Sequence, residues 1–582
     1  MASRTLRRRS AGAAPELEQA GLHPLLARLY RARGMQSAED VDLSLKRLLP
    51  PGQLRGADAA ARLLADALAA NQRLLVVGDF DADGATSTAL ALLALRALGA
   101  ASVDFLVPNR FEYGYGLTPE IVALAAERSP DLIITVDNGI SSLEGVRAAR
   151  DLGIATLVTD HHLAGVELPA ADVIVNPNQP GCDFPSKAIA GVGVMFYVLL
   201  ALRAELRTRD WFRQRGMTEP NLGEYLDLVA LGTVADVVPL DANNRILVAA
   251  GLARIRARRA RPGILALLEA GKRNPASVVA SDLGFAVGPR LNAAGRLQDM
   301  AIGIECLLCD DVPRAAAMAA QLEALNAERR NIERGMQDEA LVALASLDLH
   351  HHDSADLPPA VTLFEPGWHQ GVVGIVASRI KDRLHRPVIA FAESEPGSDE
   401  LKGSARSIQG IHIRDVLDAV ATRHPGLLSR FGGHAMAAGL SLPRAHYTDF
   451  AEAFVAEVGR HARDLDLQAI IETDGELPGS DMHLELAELL RYAGPWGQHF
   501  PEPCFDGRFR IVQQRLVGER HLKLVLQPDA GDVVDAIAFN IDTERWPDPG
   551  VEWVEAVYRL DVNEFRGRRG LQLVVEQLEA LS

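Results

Sequence analysis

Between Leu74 and Gly84 the chain reads Leu-Leu-Val-Val-Gly-Asp-Phe-Asp-Ala-Asp-Gly, an apolar run closed by three alternating carboxylates. The run suits a buried strand, which puts Asp79, Asp81 and Asp83 just past its carboxyl end. Carboxylates this close repel one another, and a cation is what neutralises such a cluster. The stretch therefore predicts half of a metal site; taken alone, a solvated acidic turn is the alternative. Asp-x-Asp-x-Asp-Gly also opens a calcium loop of the EF-hand kind, but that loop ends in Glu where this chain has Leu90, and it follows a helix. The dinucleotide fingerprint Gly-x-Gly-x-x-Gly is absent from the stretch.

Further strands are predicted at Asp104 to Val107, Leu132 to Val136, Ala155 to Thr159 and Val173 to Val175, with helical segments between them. That alternation predicts an α/β fold with a parallel, doubly wound sheet, in which ligands bind beyond the carboxyl ends of the strands. The residues after each strand agree. Pro108 to Gly116 follows the second, Asp137-Asn138-Gly139 the third and Asp160-His161-His162 the fourth. Asp236, after a helical run from Glu224 to Leu231, stands among apolar residues where an unpaired carboxylate is costly. Asp79, Asp81, Asp83, Asp137, His161 and Asp236 form a donor set suited to a pair of divalent ions, Mn²⁺ or Mg²⁺. Such a pair clamps the attacking and leaving oxygens of a phosphoryl group, so the predicted reaction is phosphodiester hydrolysis.

A chain of 582 residues exceeds what one core supports. The division predicted is a helical cap over 1–70, a catalytic α/β domain over 71–311 and a connecting helix and loop over 312–357. A second α/β domain follows over 358–463, and five short strands over 464–582 form a small β-barrel of the oligonucleotide-binding (OB) kind. Gly21 to Leu49 and Asp58 to Ala70 read as the helices of the cap, with Asp58 as a cap residue. Arg566 to Gly570 reads as a basic hairpin turn. The histidines 350–352 read as a solvated loop, and Cys306 and Cys309 as core residues, since no second pair completes a zinc site.

The net charge of −17 argues against a general coat for nucleic acid, yet it is compatible with a nuclease, whose metal site is acidic and whose basic residues need only line a channel. The basic N-terminus is followed by no apolar run of a signal peptide, and no stretch is apolar enough to span a bilayer; a cytoplasmic protein without membrane contact is expected.

Taken together, Gly78 to Gly84, Val136 to Gly139, Thr159 to His162 and Gly232 to Asp236 resemble the DHH phosphoesterases, named for the triplet at Asp160-His161-His162. The second domain resembles the DHH-associated domain through Gly432-Gly433-His434-Ala435-Met436-Ala437-Ala438-Gly439. Pro108-Asn109-Arg110, Tyr113 to Gly116, Pro289 to Arg296 and Asn563 to Arg569 are similar to the branch of that family that degrades single-stranded DNA. Some relatives carry a metal-binding His where this chain has Val77.

The resemblance implies removal of nucleotides from single-stranded DNA in the 5′-to-3′ direction, dependent on two divalent ions, in recombination and repair. It implies catalytic roles for Asp81, Asp83, Asp137, Asp160, His161, His162 and Asp236, with His162 on the scissile phosphate and Asp79 among the ligands. Arg110, Arg290 and Arg296, with Ser378 and Arg379 and with Ser404 and Arg406, are expected to bind phosphates, since the guanidinium fork pairs two oxygens at once. Tyr113 and Tyr115 are expected to stack on bases, and Asn292 and His434 to touch the substrate. A monomer working beside a helicase and a single-strand-binding protein is expected. The competing functions are a phosphodiesterase for cyclic dinucleotides or short RNA, which would not need the barrel, and a non-catalytic scaffold, which would not need intact ligands.

Overall fold

The computed structural model describes residues 4–10, 12–13, 15–108, 116–346, 357–463, 465, 467–565 and 567–581. Its first sheet is fully parallel, with the strands in the spatial order Ser102–Leu106, Arg73–Gly78, Leu132–Val136, Ala155–Thr159, Val173–Val175. Every residue of Leu132–Val136 is buried, as an apolar run covered on both faces requires. The chain runs outward from Arg73–Gly78 to Ser102–Leu106, then returns to the other side of Arg73–Gly78 to lay down Leu132–Val136. Connections leave the adjacent strands Arg73–Gly78 and Leu132–Val136 in opposite directions, and such a reversal opens a crevice at the sheet edge.

Helices Ala82–Ala97, Gly191–Thr208 and Leu226–Ala235 pack around one face of the sheet, and helices Ala242–Arg256, Pro262–Ala270, Gly288–Leu297 and Ala301–Leu308 extend this core. Helix Val312–Ser346 then carries the chain to a second sheet ordered Arg430–Gly433, Ala437–Pro443, Glu400–Arg406, Val388–Glu393, Val361–Phe364. Its one parallel pair is Val361–Phe364 with Val388–Glu393, joined through helix Val373–Leu384; the other pairs are antiparallel. The glycine-bearing segments Glu400–Arg406, Arg430–Gly433 and Ala437–Pro443 are strands, and alternate residues of Glu400–Arg406 are buried.

Five strands, Phe505–Val517, His521–Pro528, Val534–Ala538, Trp553–Phe565 and Arg568–Leu581, close into a barrel. Arg566, in the expected basic turn, lies outside the described residues, as do the histidines 350–352. Barrel and first domain share one apolar core, running from Leu17 through Leu64 and Leu231 to Phe505 and Leu578. The second domain has separate cores on the two faces of its sheet. Among the described residues no helix is long and apolar enough to cross a membrane, and all four cysteines are free, Cys306 and Cys309 being buried.

The N-terminal region corrects the sequence reading. It opens with a strand, Arg4–Arg8, paired in parallel with Ala469–Thr473 beside the barrel. Arg8 is ion-paired with the buried Asp506, and Arg33 with Asp474 at 2.9 Å, both side chains almost fully shut from solvent. Removing one member of a buried pair like this leaves an uncompensated charge, at a cost of about 3–5 kcal/mol. The helix expected over Gly21 to Leu49 is confined to Pro24–Ala32, where Leu25, Leu26, Leu29 and Tyr30 supply an apolar face. Beyond Gly34, whose φ is +87°, only the short 3₁₀ turn Leu45–Arg47 is helical. The next helix starts at Ala57 behind Gly56, so Asp58 sits in its first turn and not at its cap.

Candidate metal centre and anion cleft

The carboxylates converge at the crevice where the strand order reverses. Asp81 caps helix Ala82–Ala97, accepting from the backbone N–H groups of Asp83 at 2.9 Å and Gly84 at 3.0 Å. Asp83 reaches across to the start of helix Gly191–Thr208, where it accepts from Gly191 N at 2.6 Å and Val192 N at 3.0 Å. A carboxylate at a helix N-terminus faces oriented N–H dipoles, which holds it in place. On the neighbouring strand, Asp137 follows Val136 with φ +62°, a left-handed conformation that Asp tolerates better than most residues. Asn138 ties the two diverging strands together, donating to Val77 O at 3.1 Å and Val136 O at 2.9 Å.

Glycines let these parts approach. A Cβ on Gly191 would stand 2.7 Å from Asp137 Oδ1, one on Gly232 2.7 Å from Asp83 Oδ1, and one on Gly84 2.5 Å from Asp79 O. A Cβ on Gly295 would overlap the carbonyl oxygen of Phe80. Asn292, expected on the substrate, instead accepts from Ala82 N at 2.7 Å, so it positions the acidic loop. Val77, where some relatives have His, is buried in the core.

Three overlapping groups place their donor atoms within 4.8 Å of one another: Asp79, Asp81 and Asp137; Asp83, His161 and Asp236; Asp137, His161 and His162. His161 Nε2 lies 3.1 Å from Asp137 Oδ1 and 3.5 Å from Asp236 Oδ2. Burial, helped by the charge of His162, pushes His161 down to about 4, so its ring is neutral near pH 7. Burial, then the charge of Asp81, pushes Asp83 up to about 7. Asp137 and Asp236 are also held well above the usual carboxylate range, first by burial and then by the surrounding carboxylates, Asp83 foremost. Among the described residues His161 Nε2 and Asp236 Oδ2 are shut from solvent with no hydrogen-bond partner. A neutral imidazole nitrogen facing buried carboxylate oxygens is costly unless a cation fills the space. The donor set fits divalent metal.

Asp160 is different. Its carboxylate accepts from Ile140 N, His161 N and His162 N and lies 2.7 Å from His162 Nδ1. Burial opposes a charge on His162, but the hydrogen bond and charge of Asp160, with Asp79 and Asp81, outweigh it and raise the imidazole to about 9. Burial likewise acts upward on Asp160, yet its bond to His162 holds it below the usual range. Asp160 therefore positions a cationic His162, while His161 stays neutral beside it.

His162 opens onto a cleft of about 860 Å³ between the two α/β domains. The first domain contributes Phe80, Gly139 to Ser142 and Arg296; the second contributes Lys402, Ser404, Arg406, Arg414, Arg430 and His434. The His162 and His434 rings stack with centroids 5.9 Å apart. Arg296 donates to Gly371 O at 3.1 Å, and Arg406 to Ser404 Oγ at 3.0 Å. A Cβ on Gly432 or Gly439 would meet nothing within 4 Å, so their cleft-lining backbone is open to a ligand.

Of the remaining expected contacts, Arg290 is 6 % exposed and pairs with Glu323 of the long helix at 2.6 Å. It braces the interior away from the cleft. Arg379 pairs with Glu333 of that helix at 3.0 Å, and neither it nor Ser378 lines the cleft. Arg110, Tyr113 and Tyr115 lie outside the described residues. Arg414 and Arg430 were absent from the sequence-derived set. Arg430 stands two residues before the block that opens at Gly432, a signal within reach; Arg414 reaches the cleft only through the packing of helix Ile413–Arg423.

Models of three domain families match the chain: the DHH family N-terminal domain over residues 73–233, the DHHA1 domain over 357–460 and the RecJ OB domain over 473–577. The single-stranded-DNA-specific exonuclease RecJ of Dickeya dadantii is 58% identical over 96% of this chain and 96% of its own length. The chain belongs to the RecJ family. The RecJ of Escherichia coli K12 is 55% identical over 98% of both chains. Among solved structures, RecJ from Thermus thermophilus in complex with Mn²⁺ has a TM-score of 0.80 at 31% identity, covering 99% of this chain and 80% of that one. Its Mg²⁺ complex has a TM-score of 0.74 at 30% identity. The architecture of this RecJ family member, a parallel-sheet domain, a second α/β domain on a long helix and an OB barrel, accords with those likenesses.

Proposed function

We propose that this protein is a metal-dependent exonuclease that removes nucleotides from the 5′ end of single-stranded DNA. The observation that carries the reading is the meeting, at one cleft, of a buried carboxylate and imidazole cluster with a basic wall and a bare glycine backbone. Asp79, Asp81, Asp83, Asp137, His161 and Asp236 are the proposed ligands of two Mn²⁺ or Mg²⁺ ions. Such ions, when bound, polarise the phosphoryl group and supply a nucleophile from water near neutral pH.

The chain's own residues do the rest. His162, charged and aimed by Asp160, donates a hydrogen bond to an oxygen of the scissile phosphate. Asn292 and the glycines at 84, 191, 232 and 295 hold the acidic loops in register, since a misplacement of about 1 Å costs about a hundredfold in rate. Arg296, Lys402, Arg406, Arg414 and Arg430 pair with backbone phosphates, and the glycines of the second domain let the strand lie close. A cleft of this kind admits one unpaired strand without reading its bases, while the barrel holds the strand further along.

The proposed division of labour is a cap over 1–70, catalysis over 71–311, a connector over 312–357, the second α/β domain over 358–463 and strand holding by the barrel region over 464–582. We further propose a cytoplasmic monomer acting in recombination and repair. Unwinding and strand coating would come from a helicase and a single-strand-binding protein.

Label release from 3′-labelled and 5′-labelled single strands and from a blunt duplex tests the reading. Immediate mononucleotide release from the 5′ end of the single strand alone, abolished by chelation and by Asp137→Ala, is expected. Turnover of a cyclic dinucleotide with no strand digestion would contradict it.

A further inference from the structure

Phe285 is the most exposed aromatic side chain among the described residues, at 83%. It sits in a single π-helical turn, Leu283–Val287, that runs directly into helix Gly288–Leu297. Turns of this type are uncommon and gather at functional sites, because they displace one residue from the regular helical face. Isolated exposed apolar residues are ordinary on protein surfaces, so exposure alone assigns nothing. The surroundings of Phe285 do.

The buried side of this segment, Leu283, Ala286, Val287, Arg290, Leu291, Ala293 and Ala294, faces the protein. Its opposite side presents Phe285, then Asn292 and Arg296. Asn292 holds the acidic loop through Ala82 N, and Arg296 lines the anion cleft. One helix face thus runs from the cleft, past the carboxylates, to Phe285. Asn292 is seven positions beyond Phe285, a span of about 10 Å at the helical rise. The π turn also rests on the end of the helix that bears Asp236: a Cβ on Gly284 would stand 3.3 Å from Val234 Cγ1, and one on Gly288 3.2 Å from Ala235 Cβ. The residue after Asp236, Val237, is itself 64% exposed and held at φ +61°, a conformation that β-branched residues avoid. An exposed aromatic ring and an exposed valine therefore belong to the two segments that meet beside the carboxylates.

We infer that Phe285 is a base-stacking residue on the entry side of the site, contacting a nucleobase a few nucleotides 3′ of the scissile phosphate. The inference rests on the exonuclease reading: with the 5′ end in the basic cleft and the phosphate at the carboxylates, the rest of the strand leaves toward Phe285. A phenyl ring there serves every sequence, because each base offers a π face.

The test compares the unsubstituted protein with Phe285→Ala and Phe285→Trp on a single strand carrying all its bases and on one with a single abasic site. On the intact strand, Phe285→Ala should raise KM about tenfold with kcat little changed, and Phe285→Trp should restore it. The unsubstituted protein should pause as the abasic site comes within a few nucleotides of the 5′ end, and Phe285→Ala should show no such pause. Phe285 is on the surface, so its removal leaves no core cavity, and unchanged thermal unfolding checks that. Equal KM for both proteins on the intact strand, or a pause that persists in Phe285→Ala, overturns the assignment while leaving the exonuclease reading intact. Failure of the unsubstituted protein to digest any strand overturns both.

Discussion

The two walls of the cleft are built on opposite terms. On the first domain the carboxylates are buried or half-buried, and the surrounding atoms are so close that added methyl groups at Gly84, Gly191, Gly232 and Gly295 have no room. On the second domain the glycines at 432 and 439 face open space, and Arg414, Arg430 and His434 are exposed. A metal site gains from crowding, because ligands fixed in advance need no reorganisation to repel one another less around a cation. A surface that must let every nucleotide pass gains from openness and from charges that act without a fixed fit. The cores follow the same division: the acidic wall belongs to a core continuous with the barrel, whereas the basic wall has cores of its own, reached through helix Val312–Ser346.

Substitutions on the acidic wall should act on chemistry. The largest effect is expected from Asp137→Ala, a loss of about a thousandfold in kcat, since ion binding contributes several kcal/mol to the transition state. Strand binding measured in EDTA should change little; parallel loss of both would erase the contrast between the walls. Gly295→Ala pushes a Cβ into the Phe80 carbonyl and shifts the loop bearing Asp79 and Asp81. It is expected to lower kcat about a hundredfold without removing any ligand, and full activity would show that the loop has slack.

The basic wall should respond in KM and in salt dependence. Arg414→Ala is expected to raise KM about tenfold and to reduce the slope of log affinity against log salt by about 0.7, the value for one phosphate contact on a single strand. A changed kcat with an unchanged slope would move Arg414 to the chemical side. The smallest effect is expected for Gly439→Ala. Its stability should stay within about 0.5 kcal/mol of the parent, with KM raised a few-fold as the methyl group holds the strand off the backbone; a large loss of stability would mean that this wall is packed after all.

The acidic wall was far more legible in the sequence than the basic one. Asp79, Asp81, Asp83, Asp137, His161 and Asp236 follow strands or a helix end that hydrophobic runs disclose, and the parallel topology then dictates that they share an edge. Arg430 is brought to the cleft by an antiparallel strand pairing whose register no local pattern specifies, and Arg414 by the packing of helix Ile413–Arg423. The same gap explains Arg290: its motif drew attention, but the partner that takes it inside, Glu323, stands on a helix that the motif does not mention. The short strand Arg4–Arg8 escaped for a related reason, since its pairing with Ala469–Thr473 joins distant parts of the chain. Basic residues there served as a terminal charge run in the sequence and as ion-pair partners of Asp506 and Glu472 in the fold.

The most direct test of the division is a paired titration of Asp137→Ala and Arg414→Ala, with Mn²⁺ binding followed by calorimetry and single-strand binding followed in EDTA. Asp137→Ala is expected to lose Mn²⁺ binding and keep its strand affinity, while Arg414→Ala binds Mn²⁺ like the parent and holds the strand about tenfold more weakly. Loss of Mn²⁺ binding in Arg414→Ala, or unaltered Mn²⁺ binding in Asp137→Ala, would contradict it.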